Sequence, residues 1–559
     1  MKELDRIRCL PERDWRQDID VLTDYLTRTL KTAQGTWRLH EHQAAALADL
    51  ADYGGLIYPA PVGSGKSITA LLSATVLNAK RPLILVPGSL KAKTEREARE
   101  LYSVHWQVPK SFHVQTYEML SRSKGEAYLQ ELKPDLIFAD EAHCLKNSRG
   151  PRWRKLKKYI KTARKSGSAV YLAFASGTFF DRDISEFVHL IRAALGPYAP
   201  VPKDWQEARA WSDAMSAKLW GERPDPTPLH CLGKNDPDKD DVTRARQAFG
   251  DRLARTPGVV IVHSDRPPYA LEIAPRWVDL PSSLDEHFEA LRSQWVTPDE
   301  HPFDYPTQLW AHARELACGF YYRPDPRPPE TYLEARRAWN GFRNEVLEHS
   351  RTYYTPGELA DAIREGAYPD PCGYLAAWQH AHESFKLNQE AVWLDDTVLE
   401  SAAEWLAKHK GICWVEHLAF AESLRELTGL PAYGQGAIDP RTGKAVVDEK
   451  GPLIATLACA TGQNLQYNHH KNLIVSCTPT GRLHEQLIGR THRFGQKEDT
   501  VYVDYLFACK EQFNGYWQAV SKAQGTADGR LTPDAKLVIA TNLVPTVPEG
   551  VAAGSAAWK

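Results

Sequence analysis

Short apolar runs recur along residues 37–280, separated by stretches carrying Ala, Leu, Lys and Glu at helical spacing. The runs LIY (56–58), LILV (83–86), FHVQTY (112–117), DLIFAD (135–140) and AVYLAFAS (169–176) predict buried strands. Apart from FHVQTY they are apolar nearly throughout rather than alternating, which fits strands covered on both faces, and the helical stretches between them fit parallel crossovers. A second series, GICWVE (411–416), PLIATL (452–457), KNLIVSC (471–477) and TVYVDYL (500–506), predicts another sheet. The expected fold is therefore α/β, with two lobes that each carry a parallel sheet.

Two regions interrupt the alternation. Residues 200–245 are rich in Pro, Asp and Lys and read as an irregular insertion in the first lobe. Residues 285–395 are aromatic and helical in flavour, with Pro-rich breaks at 324–329 and 369–371, and read as a helical insertion at the start of the second. The expected organisation is a flank over 1–36, a first lobe over 37–270, a second lobe over 271–510 and a tail over 511–559. No fixed period repeats along the chain, which argues against a solenoid or propeller.

Composition narrows the function classes. A chain of 559 residues has room for about three to five domains and large cores. The formal net charge of −2 excludes a wholly basic nucleic-acid coat, so any contact with nucleic acid must come from local patches. Nine scattered cysteines form no CxxC pair, which favours reduced, buried thiols over a zinc ribbon. The charged N-terminal segment is not a secretory signal, and no run of about 18 apolar residues occurs, so a cytoplasmic protein without a membrane span is expected.

The first chemical signal is APVGSGKS, Ala60 to Ser67, between the strand GGLIY and the helical stretch ITALLSATVLNAK. Gly63, Ser64 and Gly65 form a loop whose backbone N–H groups can point at phosphate oxygens, and the following helix start adds positive potential. Lys66 is placed to reach the β and γ phosphates of a nucleotide, and Ser67 to ligate Mg²⁺. Ala60 stands where such loops usually begin with glycine. The second signal is DLIFADEAHCLKN, an apolar strand ending in Asp140 and Glu141. Adjacent carboxylates at a buried strand end repel unless a cation is present, so Asp140 is assigned to Mg²⁺ and Glu141 to the attacking water.

Together these motifs resemble the superfamily 2 helicases, and more closely the Swi/Snf-type DNA-dependent ATPases, whose second motif reads DEAHxLKN. The resemblance covers about residues 37–200 and 395–510. It implies two RecA-like P-loop lobes, ATP and Mg²⁺ as ligands, and DNA as partner. Gln43 in RLHEHQAAAL matches the glutamine that reads adenine, and Ser89 lies in LILVPGSL, which resembles a motif touching the nucleic-acid backbone. Ser176-Gly177-Thr178 resembles the motif coupling the two sites, and ATGQNLQ (460–466) the fifth motif, with Ala460 in place of glycine. QLIGRTHRFGQ matches QxxGRxHRxGQ from Gln486 to Gln496, which implies that Gln486 couples and that Arg490 and Arg493 act as arginine fingers. Read as a helix, the segment would place both guanidiniums on one face.

The run KNSRGPRWRKLKKYIKTARKSG (146–167) holds no acidic residue. Lys155 and Lys158 within it are either contacts to nucleic-acid phosphates or part of a solvated cationic face. The pair His469-His470 has no partners at metal-ligand spacing and reads as structural or surface. The function expected is an ATP-dependent DNA helicase or duplex translocase of phage or bacterial type. The alternatives are an ATP-gated DNA-binding subunit of a restriction or defence complex, with the insertions as partner surfaces, and an RNA-dependent ATPase.

Overall fold

The computed structural model describes residues 2–540 and 556–558, apart from 62, 178, 180–183, 217–222, 263–266, 304, 351, 461 and 530–534. The chain forms two compact units. One comprises Met1–Asp265, Trp339–Leu375 and Gly525–Asp534; the other comprises Arg266–Ala338, Ala376–Gln524 and Ala535–Lys559.

The first unit is built on strands β1 (Gly55–Pro59), β2 (Pro82–Val86), β3 (His113–Thr116), β4 (Leu136–Asp140) and β5 (Tyr171–Ser176). All pairings are parallel, in the order β1-β5-β4-β2-β3. Alternate residues of each strand enter two separate cores, because side chains alternate across the pleat. Ile57, Leu83, Leu85, Ile137, Leu172 and Phe174 pack with Trp153, Leu156 and Tyr159 of the Pro151–Lys165 helix. Leu56, Tyr58, Ile84, Val86, Phe138 and Ala173 pack with Leu47 and Leu50 of the Glu41–Tyr53 helix and Leu71 of the Lys66–Val76 helix. Burial on both sides explains why β1, β2, β4 and β5 read as continuous apolar runs, whereas β3, expected to be buried, is an edge strand that buries Val114 and exposes His113.

The second unit carries β6 (Ala270–Trp277), β7 (Phe320–Pro324), β8 (Gln389–Trp393), β9 (Ile412–Val415), β10 (Ala432–Tyr433), β11 (Leu453–Thr456), β12 (Lys471–Ile474) and β13 (Thr500–Phe507). Six of these form a parallel sheet in the order β10-β11-β9-β12-β13-β6, and β7 pairs antiparallel with β8. The α/β class with two parallel sheets agrees with the sequence expectation. Ala313, Leu316, Cys318 and Phe320 of the aromatic stretch 310–324 lie in this unit's core. Among the described residues no helix is long and apolar enough to cross a membrane.

Three segments differ from their expected form. The stretch 200–245 is not irregular throughout, since it contains the helix Trp205–Ala214 and runs into the helix Asp241–Ala254. Two of its aspartates, read as loop residues, are helix caps: Asp204 accepts from Glu207 N–H, and Asp240 from Val242 and Thr243 N–H. The stretch 285–395 is divided, with Trp339–Leu375 packed in the first unit and the remainder in the second. Within the expected tail, Lys510–Asp528 is a helix that buries Tyr516, Ala519 and Ala523.

Candidate active site

The strand order β1-β5-β4 gathers three sequence motifs on one edge of the first sheet. β5 lies between β1 and β4, and its last residue, Ser176, pairs with Pro59, while Ala175 pairs with Asp140. The phosphate loop, the Asp140-Glu141 pair and Ser176 therefore emerge side by side at the carboxyl ends of adjacent strands, where open α/β sheets place their ligands. Ala60 N–H donates to the Ser176 carbonyl at 3.1 Å, which ties the start of the loop to β5.

The loop has the backbone its glycines permit. Gly63 and Gly65 take φ values of 94° and 76°. The positive φ of Gly65 favours glycine there, and a Cβ would stand 2.3 Å from Gln43 Nε2 and displace that amide from the loop. Buried Gln43 donates through Nε2 to the Ser64 carbonyl at 3.0 Å and accepts His40 N–H at 2.9 Å. The Ser64 hydroxyl donates to the Pro61 carbonyl at 2.8 Å. Lys66 is buried, and its ammonium donates to the Ala60 and Pro61 carbonyls, both at 3.1 Å. Ser67 follows in the first turn of the helix.

Asp140 ends β4 in a buried position. Burial pushes its carboxyl pKa up, Glu141 adds to the rise, and the positive charge of Lys66 opposes it. The Asp140 carboxylate accepts Glu141 N–H at 3.0 Å. Glu141 then turns the chain through the left-handed region at φ 57°. His143 Nδ1 lies 3.1 Å from Glu141 Oε2 and 3.3 Å from Ser176 Oγ, so one imidazole links the second and third motifs. Thr178 lies outside the described residues. The Asp140 and Ser67 oxygens are hard donors that suit Mg²⁺, and a divalent cation would relieve the penalty on the buried carboxylate.

In the second unit the late motif is not one helix. The helix Gly481–Ile488 carries Gln486 and ends before Gly489, so Arg490 and Arg493 lie in the turn that follows. Gly489 is the C-cap of that helix, and Gly495, beyond Arg493, has φ 89° and lies against the Tyr467 ring. Both arginines nevertheless meet the fifth motif. Arg490 donates to the Gln463 carbonyl at 3.1 Å and the Gln486 carbonyl at 3.2 Å, and Arg493 to Asn464 Oδ1 at 2.9 Å. Gln496 braces the turn through the His469 and Thr491 carbonyls, at 2.9 and 3.1 Å.

The residues read as nucleic-acid contacts separate. Ser89 is exposed beyond β2. Lys158 is half-exposed and ion-paired with Glu126 at 2.6 Å. Lys155 is corrected: its side chain is 0% exposed and ion-paired with Glu358, so it is closed to nucleic acid. His469 is buried on the Glu449 carbonyl at 3.0 Å, a structural role. Tyr117, whose hydroxyl donates to the Asp140 carbonyl at 2.6 Å, and Asn464, which holds Arg493, were not singled out from sequence. Nothing local marks Tyr117, because its partner ends a different strand.

Buried histidines give the fold a pH dependence. Burial lowers His42, His189 and His492 to about 4; His40 and Lys66 add to the effect on His42, and Lys536 to that on His492. A base with a depressed folded pKa contributes stability above its unfolded value near 6.5, and loses it as pH falls toward 4. Asp140, raised, works in the opposite sense but is one group against three. The unfolding midpoint is expected to fall between pH 7 and pH 5, by on the order of several kcal/mol of stability. Thermal melts with equal midpoints at the two pH values would contradict this.

No family model matches the chain, and no curated protein does. Solved structures similar to it include the Mycobacterium smegmatis helicase Lhr bound to ssDNA and AMP-PNP, at 12% identity and TM-score 0.39, over 92% of this chain and 51% of that one. The helicase domain of Pyrococcus furiosus Hef is similar at 16% identity and TM-score 0.38, over 85% of this chain and 97% of that one. The C-terminal part of the Fun30 ATPase domain aligns at 11% identity and TM-score 0.26, over 45% and 89%. This chain thus spans about half the length of the Lhr chain.

Proposed function

We propose that the chain is a nucleic-acid-dependent ATPase of the superfamily 2 helicase class, Swi/Snf type, which couples ATP hydrolysis to movement along DNA. The observation that carries the reading is the shared edge of β1, β5 and β4, where the phosphate loop, Asp140-Glu141 and Ser176 emerge together and His143 joins Glu141 to Ser176. Lys66 and the loop N–H groups would hold the phosphates, and Gln43, fixed on the loop, the adenine. Glu141 would orient and deprotonate the attacking water. Mg²⁺, held by Asp140 and Ser67, would neutralise charge on the transferring phosphoryl group. Arg490 and Arg493 are proposed as arginine fingers, as the QxxGRxHRxGQ resemblance implies. Backbone phosphates carry no sequence information, so tracking is proposed to be largely sequence-independent.

The test is steady-state ATP hydrolysis with no nucleic acid, single-stranded DNA, duplex DNA, forked DNA and RNA. Stimulation by duplex or forked DNA is expected. Stimulation by RNA alone would replace this reading with an RNA-dependent ATPase. Hydrolysis without strand separation or movement would favour the ATP-gated subunit of a defence complex.

A further inference from the structure

In sequence, β7 of the second unit ends at Pro324 and β8 begins at Gln389, yet Trp339–Leu375 between them packs in the first unit. The contacts that hold this segment converge on the helix following the DEAH motif. Thr355 and Glu358 cap the Pro356–Arg364 helix reciprocally: Thr355 Oγ1 accepts Glu358 N–H at 3.2 Å, and Glu358 Oε2 accepts Tyr354 and Thr355 N–H at 2.7 and 3.1 Å. The cap occupies one oxygen and leaves Oε1 for the Lys155 ammonium, 2.5 Å away. The neighbouring Arg154 lays its guanidinium 4.2 Å over the Tyr354 ring and donates to the Leu347 and Ser350 carbonyls.

The Lys155 ammonium also donates to the Arg122 carbonyl, at the end of the helix Tyr117–Ser121. Arg152 Nε donates to Ser121 Oγ of that helix at 2.9 Å. At the helix's other end, the Tyr117 hydroxyl donates to the Asp140 carbonyl at 2.6 Å. Tyr117 is fully buried, and burial raises its pKa well above the usual phenol value, so it remains a donor. The carbonyl it holds belongs to the residue that precedes the left-handed turn at Glu141. Glu358, Lys155, the Arg122 carbonyl, Tyr117 and Asp140 thus form one connected line.

We propose that Lys155 and Glu358 are positioning residues for the ATP site. Through the Arg122 carbonyl and Tyr117, they make the docked 339–375 segment set the placement of Asp140 and Glu141. The inference rests on the ATPase reading above. A buried ammonium stripped of its carboxylate is poorly tolerated, whereas replacing both members of a buried pair by apolar side chains is often neutral for folding. The double variant Lys155→Met/Glu358→Met therefore removes the clamp while preserving the core.

The experiment measures ATPase kinetics and Mg²⁺ dependence for the parent chain, this double variant, Tyr117→Phe and their combination, each with a thermal melt. The double variant and Tyr117→Phe are each expected to lower kcat and raise the half-saturating Mg²⁺ concentration by about tenfold, with KM for ATP nearly unchanged. Their effects are expected not to multiply in the combination, because both cut the same line. Tyr117→Phe with unchanged kcat and Mg²⁺ dependence would overturn the proposal, even if the double variant fails to fold. Effects that multiply in the combination, or that fall only on KM, would overturn it as well. A parent chain without ATPase activity would overturn the underlying reading together with it.

Discussion

Glu141→Gln is expected to bind Mg²⁺–ATP as tightly as the parent chain and to hydrolyse it about 10²–10⁴-fold more slowly, the usual worth of a general base. The substitution keeps the shape of the side chain and removes only its ability to take a proton. Two features place the demand on this residue rather than on Asp140. Asp140 is buried and accepts the Glu141 backbone N–H, whereas Glu141 swings out through a left-handed turn to meet His143. His143 in turn faces Ser176 at the end of β5, so the Glu141 carboxylate meets a group that is itself anchored on the neighbouring strand. Single-turnover kinetics with a parallel binding titration check the prediction. Parent-like turnover would remove Glu141 from its role as base.

Arg493→Ala is expected to lower kcat by about 10³-fold with a small change in KM, the range for an arginine finger. A guanidinium that acts only on charge developing in the transition state alters turnover and leaves ground-state affinity alone. The Gly489 and Gly495 turn carries Arg493 past the helix end, and Asn464 Oδ1 accepts its Nη1 at 2.9 Å. Burial lowers its pKa, but an arginine stays protonated at any working pH. An effect confined to KM would assign Arg493 to ground-state binding instead.

What could be read in the sequence was contiguous. The phosphate loop and the Asp140-Glu141 strand end each lie within a dozen residues, and their chemistry follows from strand, loop and helix in order. The buried strands were legible because burial on both faces leaves an unbroken apolar run. β6, β7, β8 and β10 were missed: β6 alternates exposed and buried positions, β10 spans Ala432–Tyr433 alone, and β7 and β8 lie within the stretch 285–395 that was read as helical. Capping aspartates at 204 and 240 resemble loop residues until the helices they start are seen. The fate of Lys155 was invisible, since a lysine in a basic helix has the same local pattern whether it faces solvent or a glutamate brought from far along the chain. The same holds for Tyr117, whose partner is a backbone carbonyl on another strand. Local strand, loop and helix patterns were legible, and pairings created by tertiary packing were not.

The central claim is that Ala60 to Ser67 form the phosphate-binding loop of a nucleotide site. The most direct measurement is equilibrium binding of a non-hydrolysable ATP analogue, with Mg²⁺, to the parent chain and to Lys66→Ala. Lys66 lies inside the loop, with its ammonium on the Ala60 and Pro61 carbonyls. The account requires saturable binding by the parent chain and loss of tight binding in the variant, while equal affinity in the two proteins would contradict it.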